Sequence, residues 1–236
     1  MTASIAALAS LKAKQPGIAP SYVAGLSLGE YSALVAAGII SFESAVYLVR
    51  QRGLFMEEAA RKNPGRMICV LGLSKEIVQS LCDETGCEIA NLNAPGNIVV
   101  SGREQDLKIL ERLAITRDAK LVLAVDVSGA FHSSYMTPAA EKLKPEIEKT
   151  HFSAPRCPLI CNVDASEQID LDVIKQNLIK QVNSSTYWEV SMRYLLFRGV
   201  RTFYEIGPKE TLKRFMKSID TGAEVISIGN WRDIEK

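Results

Sequence analysis

A serine lies between two glycines in the segment Gly25-Leu26-Ser27-Leu28-Gly29. The apolar run Tyr22 to Ala24 precedes this segment, and a stretch with helical spacing follows it from Glu30 to Gly38. In this setting the pattern G-x-S-x-G predicts a nucleophile elbow, a sharp turn from strand to helix that exposes the serine hydroxyl above a helix N-terminus. The alternative is an ordinary turn serine, and the flanking strand and helix favour the nucleophile.

A serine nucleophile needs a base, and the sequence contains two histidines, His132 and His151. His132 follows a predicted strand, where the loops of α/β proteins usually carry chemistry, whereas His151 follows a charged helix and is expected at the surface. We therefore predict that His132 is the general base, with a structural histidine as the alternative. The acids nearest to it in sequence, Asp118 and Asp126, are candidates to orient it, and each fits a solvated turn or strand end equally well.

Arg52 is predicted to end an amphipathic helix that opens at Ser41, next to Gly53. The planar guanidinium fork of an arginine can bind a substrate carboxylate through two parallel hydrogen bonds. The local pattern alone instead favours a solvated arginine at a helix end. The assignment of Arg52 therefore depends on evidence beyond its immediate neighbours.

Helices and strands alternate along most of the chain, which indicates an α/β layered core with a mainly parallel sheet, hydrolase-like because it carries the elbow. Between residues 61 and 125 the order β-α-β-β-α-β predicts an inserted ferredoxin-like subdomain. We therefore predict a large hydrolase-like domain from residues 1–60 and 126–236 and a small subdomain from residues 61–125. The active site is expected in the cleft between them.

The composition excludes several classes of protein. A net charge of +1 over 236 residues gives no general attraction to nucleic acid or to an anionic membrane surface. The apolar stretches are too short for a membrane span, and the N-terminus lacks the basic region of a secretory signal. Five cysteines without a C-x-x-C spacing favour reduced thiols in the cytoplasm, and with only two histidines they argue against zinc.

At the candidate residues Ser27, Arg52 and His132, the sequence closely resembles the malonyl-CoA:acyl-carrier-protein transacylases of fatty-acid synthesis and the related acyltransferase domains of polyketide synthases. The matching segments follow the family order across nearly the whole chain. They are residues 25–34, Gln51-Arg52-Gly53, Asn91 to Gly102, Gly129-Ala130-Phe131-His132-Ser133, Gln181 with Trp188, and Tyr204-Glu205-Ile206-Gly207-Pro208.

The resemblance implies a role for each candidate residue. Ser27 corresponds to the nucleophile, His132 to the base and Arg52 to the clamp for the malonyl carboxylate. Gln181 corresponds to the residue whose main-chain carbonyl orients His132, and Leu28 N–H to an oxyanion donor. The form Gly-Ala-Phe-His also resembles the malonyl-selecting version of the base motif. The implied reaction moves malonyl from malonyl-CoA to acyl carrier protein through a serine ester, with no metal or other cofactor.

The sequence departs from the family pattern in two ways. Residue 26 is leucine where the bacterial enzymes usually have histidine, and we expect this change to tune the mouth of the pocket. Family members also begin with a strand and a Gly-Gln-Gly loop, whose glutamine N–H supplies the second oxyanion donor. This sequence starts in the helix that follows the loop. We therefore expect either a shortened chain with impaired activity, because one such donor contributes about 2.7 to 4 kcal/mol of transition-state stabilisation, or another segment that covers the gap.

Two rival functions remain at this stage. A serine esterase or thioesterase would use the same elbow but needs an acid in the order Ser, Asp or Glu, His, and it has no use for a buried Arg52. A non-catalytic remnant that binds the carrier protein would keep the fold and not become acylated. The resemblance to the transacylases implies acyl carrier protein as partner, and carrier proteins of this pathway are acidic.

A basic ridge is also predicted near the C-terminus, on a helix with one apolar side. This ridge consists of Lys209, Lys213, Arg214 and Lys217. Such a ridge could steer the approach of an acidic carrier protein, and the alternative is a solvated helix face.

Overall fold

The computed structural model describes residues 1–233. The first four elements of the chain include the strand and the helix on either side of the elbow. The elements are α1 (Thr2–Lys14), β1 (Val23–Ala24), α2 (Gly29–Ala36) and α3 (Phe42–Lys62). Ser41 begins α3 as predicted, because its Oγ accepts a hydrogen bond from Ser44 N at 3.1 Å.

The prediction that Arg52 ends this helix is wrong. α3 continues for ten more residues and places Arg52 in its middle. Glycine often marks the end of a helix. Here buried Met56 and Ala59 continue the apolar stripe of the helix beyond Gly53. Gly53 itself faces open space, where an added Cβ would meet nothing within 4 Å. That stripe packs against α6 (Thr137–Lys149), so tertiary packing outweighs the local helix-breaking preference.

The small subdomain is a four-stranded antiparallel sheet with two helices. Its elements are β2 (Arg66–Leu71), α4 (Lys75–Thr85), β3 (Glu88–Ala94), β4 (Asn97–Gly102), α5 (Glu104–Thr116) and β5 (Leu121–Ala124). The strand order β3-β4-β2-β5 places the first and third strands of the unit side by side in the centre. This arrangement is that of a ferredoxin-like unit, as the sequence predicted.

The two faces of this sheet have different neighbours. α4 and α5 cover one face and enclose a core that includes Val70, Leu81 and Leu110. On the other face Met67, Ala90 and Val99 pack against residues of the chain that returns to the large domain. One edge is also joined directly to that domain, because β3 exchanges backbone hydrogen bonds of 2.9 Å with Thr186.

The remaining elements complete the large domain. They are a 3₁₀ turn (Ser134–Met136), α6, β6 (Leu159–Ile160), β7 (Glu167–Gln168), α7 (Leu171–Lys180), α8 (Trp188–Phe197), β8 (Thr202–Ile206), α9 (Thr211–Ile219), β9 (Glu224–Ile228) and a 3₁₀ turn (Trp231–Asp233). β1 pairs with β6 and β8 pairs with β9, both in parallel. The mixed α/β class is confirmed, with the parallel pairs divided between two small sheets.

Three further features concern the C-terminal helix, the cysteines and the lengths of the apolar helices. α9 is amphipathic, since Met216 and Ile219 are buried while Arg214 and Lys217 are exposed. The prediction that Lys209 lies on this helix is wrong, because α9 begins at Thr211. All five cysteines are free thiols. No helix within residues 1–233 is long and apolar enough to cross a membrane.

Candidate active site

Ser27 occupies a sharp turn between β1 and α2. Its φ angle is +53°, a left-handed conformation that is strained for a residue with a side chain. The turn is so tight that a Cβ at Gly25 would lie 2.1 Å from the carbonyl carbon of Gly29, whereas a Cβ at Gly29 would meet nothing within 4 Å. The first glycine of the motif is therefore a steric requirement of this turn, and the second is not.

This difference predicts opposite outcomes for two otherwise identical substitutions. Gly25→Ala should lower the free energy of unfolding by about 3 kcal/mol, because the added methyl group collides with backbone that cannot move aside. Gly29→Ala is the matched control and should stay within about 1 kcal/mol of the unsubstituted protein, since alanine favours a helix. Urea unfolding of both variants measures the difference. Equal stability of the two would contradict the steric account of the elbow.

The predicted nucleophile and base meet in the structure. Ser27 Oγ lies 2.7 Å from His132 Nε2, although 105 residues separate them in the sequence. His132 Nδ1 lies 2.8 Å from the main-chain oxygen of Gln181. Because a carbonyl oxygen can only accept, the Nδ1 atom carries the proton and Nε2 is free to accept one from the serine hydroxyl.

The other candidates for base and orienting group lie elsewhere. His151 is exposed, with its Nε2 atom 3.3 Å from Ser153 Oγ. Asp118 and Asp126 are also exposed, and the Nδ1 position of His132 is taken by the carbonyl of Gln181. The site thus orients its histidine with a main-chain oxygen, as the resemblance implied, and not with an acid.

The environment of His132 keeps it neutral. Its side chain is buried, and burial together with the positive charge of Arg52 lowers the pKa of His132 to about 4. At neutral pH the ring is therefore unprotonated and able to accept a proton. A backbone φ of +56° shows that this residue, like Ser27, is held in a strained conformation.

Arg52 projects from the middle of α3 into the same site. It is only 6% exposed, and its Nη2 atom donates hydrogen bonds of 3.1 Å both to Ser27 Oγ and to Gln181 Oε1. Within residues 1–233 its Nε atom has no hydrogen-bond partner and its guanidinium forms no salt bridge. Burial lowers the pKa of Arg52, because a charged guanidinium is costly to hold away from water. Such a cation favours an anionic ligand beside Ser27.

Two polar side chains, Asn162 and Gln181, hold the elbow in place, and a third, Glu30, accepts from Gln181. Asn162 and Glu30 were not assigned a role from the sequence. Asn162, just after β6, accepts from Ser27 N at 2.7 Å and donates to Gly25 O at 2.7 Å. Gln181 Nε2 donates to Ser27 O at 2.9 Å and to Glu30 Oε2 at 2.5 Å. The strained turn is thus fixed by side chains from two distant segments. The only sequence signal for Asn162 is its position at the end of a strand.

Leu28 is the last of the residues predicted for the site. It immediately precedes α2, and the first N–H groups of a helix have no partner inside it.

A cavity of about 470 Å³ adjoins His132. Glu88 of the small subdomain and Asp164 and Lys180 of the large domain are among the residues that line it. Residues 1–233 contain no cluster of three or more side chains placed to hold a metal ion.

On this fold, a serine held at a strained strand-to-helix turn within hydrogen-bond distance of a neutral histidine has the geometry that acyl transfer through a serine ester requires. The chain belongs to the acyl transferase domain family, whose model matches residues 1–202. It is 41% identical over 240 residues to the malonyl CoA-acyl carrier protein transacylase of Bacillus subtilis, covering 100% of this chain and 75% of that relative.

Solved structures agree with this membership. The malonyl CoA-acyl carrier protein transacylase of Coxiella burnetii matches with a TM-score of 0.96 and 34% identity, over 99% of this chain and 75% of that one. The solved complex of a type II polyketide acyl-carrier protein with its malonyl-transacylase contains a chain that matches with a TM-score of 0.93 and 32% identity. The match covers 98% of this chain and 77% of that one.

Proposed function

We propose that this chain transfers a malonyl group from coenzyme A to the phosphopantetheine thiol of acyl carrier protein through an ester on Ser27. The observation that carries the proposal is Arg52, a buried cation that donates to Ser27 Oγ and forms no salt bridge within residues 1–233, although the Glu30 carboxylate acts on it at longer range. A malonyl group supplies a carboxylate partner at the far end of the acyl chain. The names of the relatives support the same acyl group and the same acceptor.

The first half of the cycle forms the serine ester. Neutral His132 accepts the proton of Ser27 at Nε2 as Oγ attacks the thioester carbonyl, and the Nδ1–H bond to Gln181 O stabilises the resulting imidazolium. The carbon–sulfur bond then breaks, and the leaving thiolate of coenzyme A takes the proton from His132. We assign Leu28 N–H as a donor to the oxyanion, by its place at the N-terminus of α2.

The second half reverses these steps with a different thiol. The phosphopantetheine thiol gives its proton to His132 and attacks the malonyl ester, and Ser27 leaves and recovers a proton from His132. Malonyl-CoA is the substrate in this scheme, and no separate cofactor takes part. The free cysteines fit our proposal that the protein works in the cytoplasm.

Neither rival function gains support from a specific contact. An esterase or thioesterase of hydrolase type would orient its histidine with an acid, and His132 is oriented by the carbonyl of Gln181. A remnant that only binds the carrier would keep the fold and never carry an acyl group. Intact-protein mass measurement after mixing with malonyl-CoA tests the proposal directly. A malonyl adduct that disappears on adding holo carrier protein supports transfer, and a chain that stays unmodified overturns it.

The three members of the basic ridge that lie on α9, Lys213, Arg214 and Lys217, lead to a prediction about the carrier. If the ridge steers an acidic partner, Lys213→Glu combined with Lys217→Glu should slow malonyl transfer to carrier protein by about tenfold at low ionic strength. The effect should shrink as salt is added, because screening weakens the attraction. Stopped-flow transfer rates over a series of salt concentrations measure it.

A control pair of equal charge is available on another helix. Lys144→Glu combined with Lys149→Glu on α6 makes the same change in net charge on exposed side chains. That pair should leave the transfer rate close to that of the unsubstituted protein. If both pairs slow transfer equally, only the overall charge matters and α9 is ordinary solvated surface.

A further inference from the structure

One buried acid beside the elbow has no part in the reaction cycle described above. Glu30 lies in the first turn of α2, three residues after the nucleophile, and its side chain is 1% exposed. A carboxylate is costly to bury unless its oxygens accept hydrogen bonds or face a cation. The partners of Glu30 therefore indicate what it does.

Those partners connect it to two of the residues that contact Ser27, Asn162 and Gln181. Glu30 Oε2 accepts from Gln181 Nε2 at 2.5 Å, and Glu30 Oε1 accepts a longer bond from Asn162 N at 3.4 Å. Gln181 Nε2 also donates to Ser27 O. With its nitrogen held by two acceptors, the amide of Gln181 must turn its oxygen toward Arg52 Nη2, which lies 3.1 Å away.

We propose that Glu30 is a positioning residue of this site, whose carboxylate fixes the side-chain amide of Gln181 so that this amide holds the guanidinium of Arg52 against Ser27. The inference rests on the function proposed above. Without an acceptor at Glu30, the Gln181 amide can rotate by half a turn. Its NH₂ group would then face the guanidinium, where both groups are donors, and Arg52 would lose its support.

The charge of Glu30 adds a dependence on pH. Burial raises the pKa of Glu30 to about 7, although its hydrogen bonds and the charge of Arg52 act in the opposite direction. The other titratable groups that face it are Tyr31 on α2, and Cys161 and Asp164 around β6. Ionised Glu30 offsets the field of Arg52, whereas protonated Glu30 keeps an acceptor oxygen for Gln181 and leaves that field intact.

The sign of the pH effect follows from this offset. As pH rises through about 7, Glu30 gains its negative charge and opposes the arriving malonyl carboxylate. The KM for malonyl-CoA should therefore rise over this interval, and the KM for acetyl-CoA should not. His132, with its pKa near 4, stays neutral throughout the same interval.

Two substitutions at Glu30 separate hydrogen bonding from charge. Glu30→Ala removes the acceptor and should lower the ratio of kcat/KM for malonyl-CoA to that for acetyl-CoA by about tenfold. Glu30→Gln keeps an acceptor oxygen, so it should hold this ratio within about threefold and abolish the rise of the malonyl-CoA KM with pH. A loss of folded protein lowers both rates equally and leaves the ratio unchanged.

Asp106 on α5 supplies the control, because it is another buried acid, paired with Arg103 and outside the site. Asp106→Ala and Asp106→Asn should leave both the ratio and the pH profile unchanged. An unchanged ratio in Glu30→Ala, or an equal change in Asp106→Ala, would overturn the inference. So would a pH effect that persists in Glu30→Gln, and this measurement decides alone if Glu30→Ala does not fold. Failure of the unsubstituted protein to form a malonyl adduct would instead refute the proposed function.

Discussion

Ser27→Ala should abolish the malonyl adduct on this protein and with it the transfer of malonyl to carrier protein. Ser27 Oγ is placed 2.7 Å from the neutral base and 3.1 Å from the guanidinium that would hold the far end of the acyl group. Loss of a serine nucleophile from an oriented serine–histidine pair costs about 10⁶-fold in kcat. Intact-protein mass spectrometry after mixing with malonyl-CoA, followed by peptide mapping, measures the adduct and its position.

The neighbouring serines make this prediction specific. Ser128 is exposed in the loop before His132, and Ser133 is buried with its hydroxyl donating to Ala130 O. Ser128→Ala should keep the full adduct and serves as the control. A malonyl group mapped to Ser128 or Ser133 in the unsubstituted protein would assign the nucleophile to another position and contradict the elbow.

The elbow was predictable because its determinants are local. Gly25, Ser27 and the helix after them lie within a few residues of one another, and close approach of Gly25 to Gly29 is a property of the turn itself. The small subdomain was predictable for a related reason. Its order of helices and strands leaves few ways to build one sheet, and the observed strand order is the expected one.

The support of the elbow was not predictable from local pattern. Asn162 and Gln181 reach Ser27 across 135 and 154 residues of sequence, and a single sequence does not record such contacts. The histidine is oriented by a main-chain oxygen, which every residue possesses, so no side-chain type could identify Gln181. That assignment came from the family resemblance alone.

The position of Arg52 shows where local pattern misleads. Glycine after arginine looks like a helix end, yet burial of Met56 and Ala59 against α6 keeps the helix intact through Gly53. The difference matters for function. An arginine at a helix end is usually solvated, whereas one in the middle of a packed helix can be buried and pointed at the nucleophile.

Arg52→Ala should lower malonyl transfer far more than acetyl transfer. The guanidinium is buried, donates to Ser27 Oγ and Gln181 Oε1, and keeps a buried Nε atom without a partner in residues 1–233. Only the malonyl group offers a carboxylate to this cation, and removal of one member of a buried charged pair costs about 2 to 5 kcal/mol. We therefore expect kcat/KM for malonyl-CoA to fall by about 10² to 10³-fold more than kcat/KM for acetyl-CoA.

Arg52→Lys is the matched variant for this measurement, because it keeps the charge and loses the planar fork. A lysine cannot bind a carboxylate through two parallel bonds, so its selectivity for malonyl should lie between those of the alanine variant and the unsubstituted protein. Steady-state rates with both thioesters on all three proteins give the comparison. Equal losses for malonyl and acetyl in Arg52→Ala would show that Arg52 supports only the fold, because a guanidinium that binds the substrate carboxylate must distinguish an acyl group that carries one from an acyl group that does not.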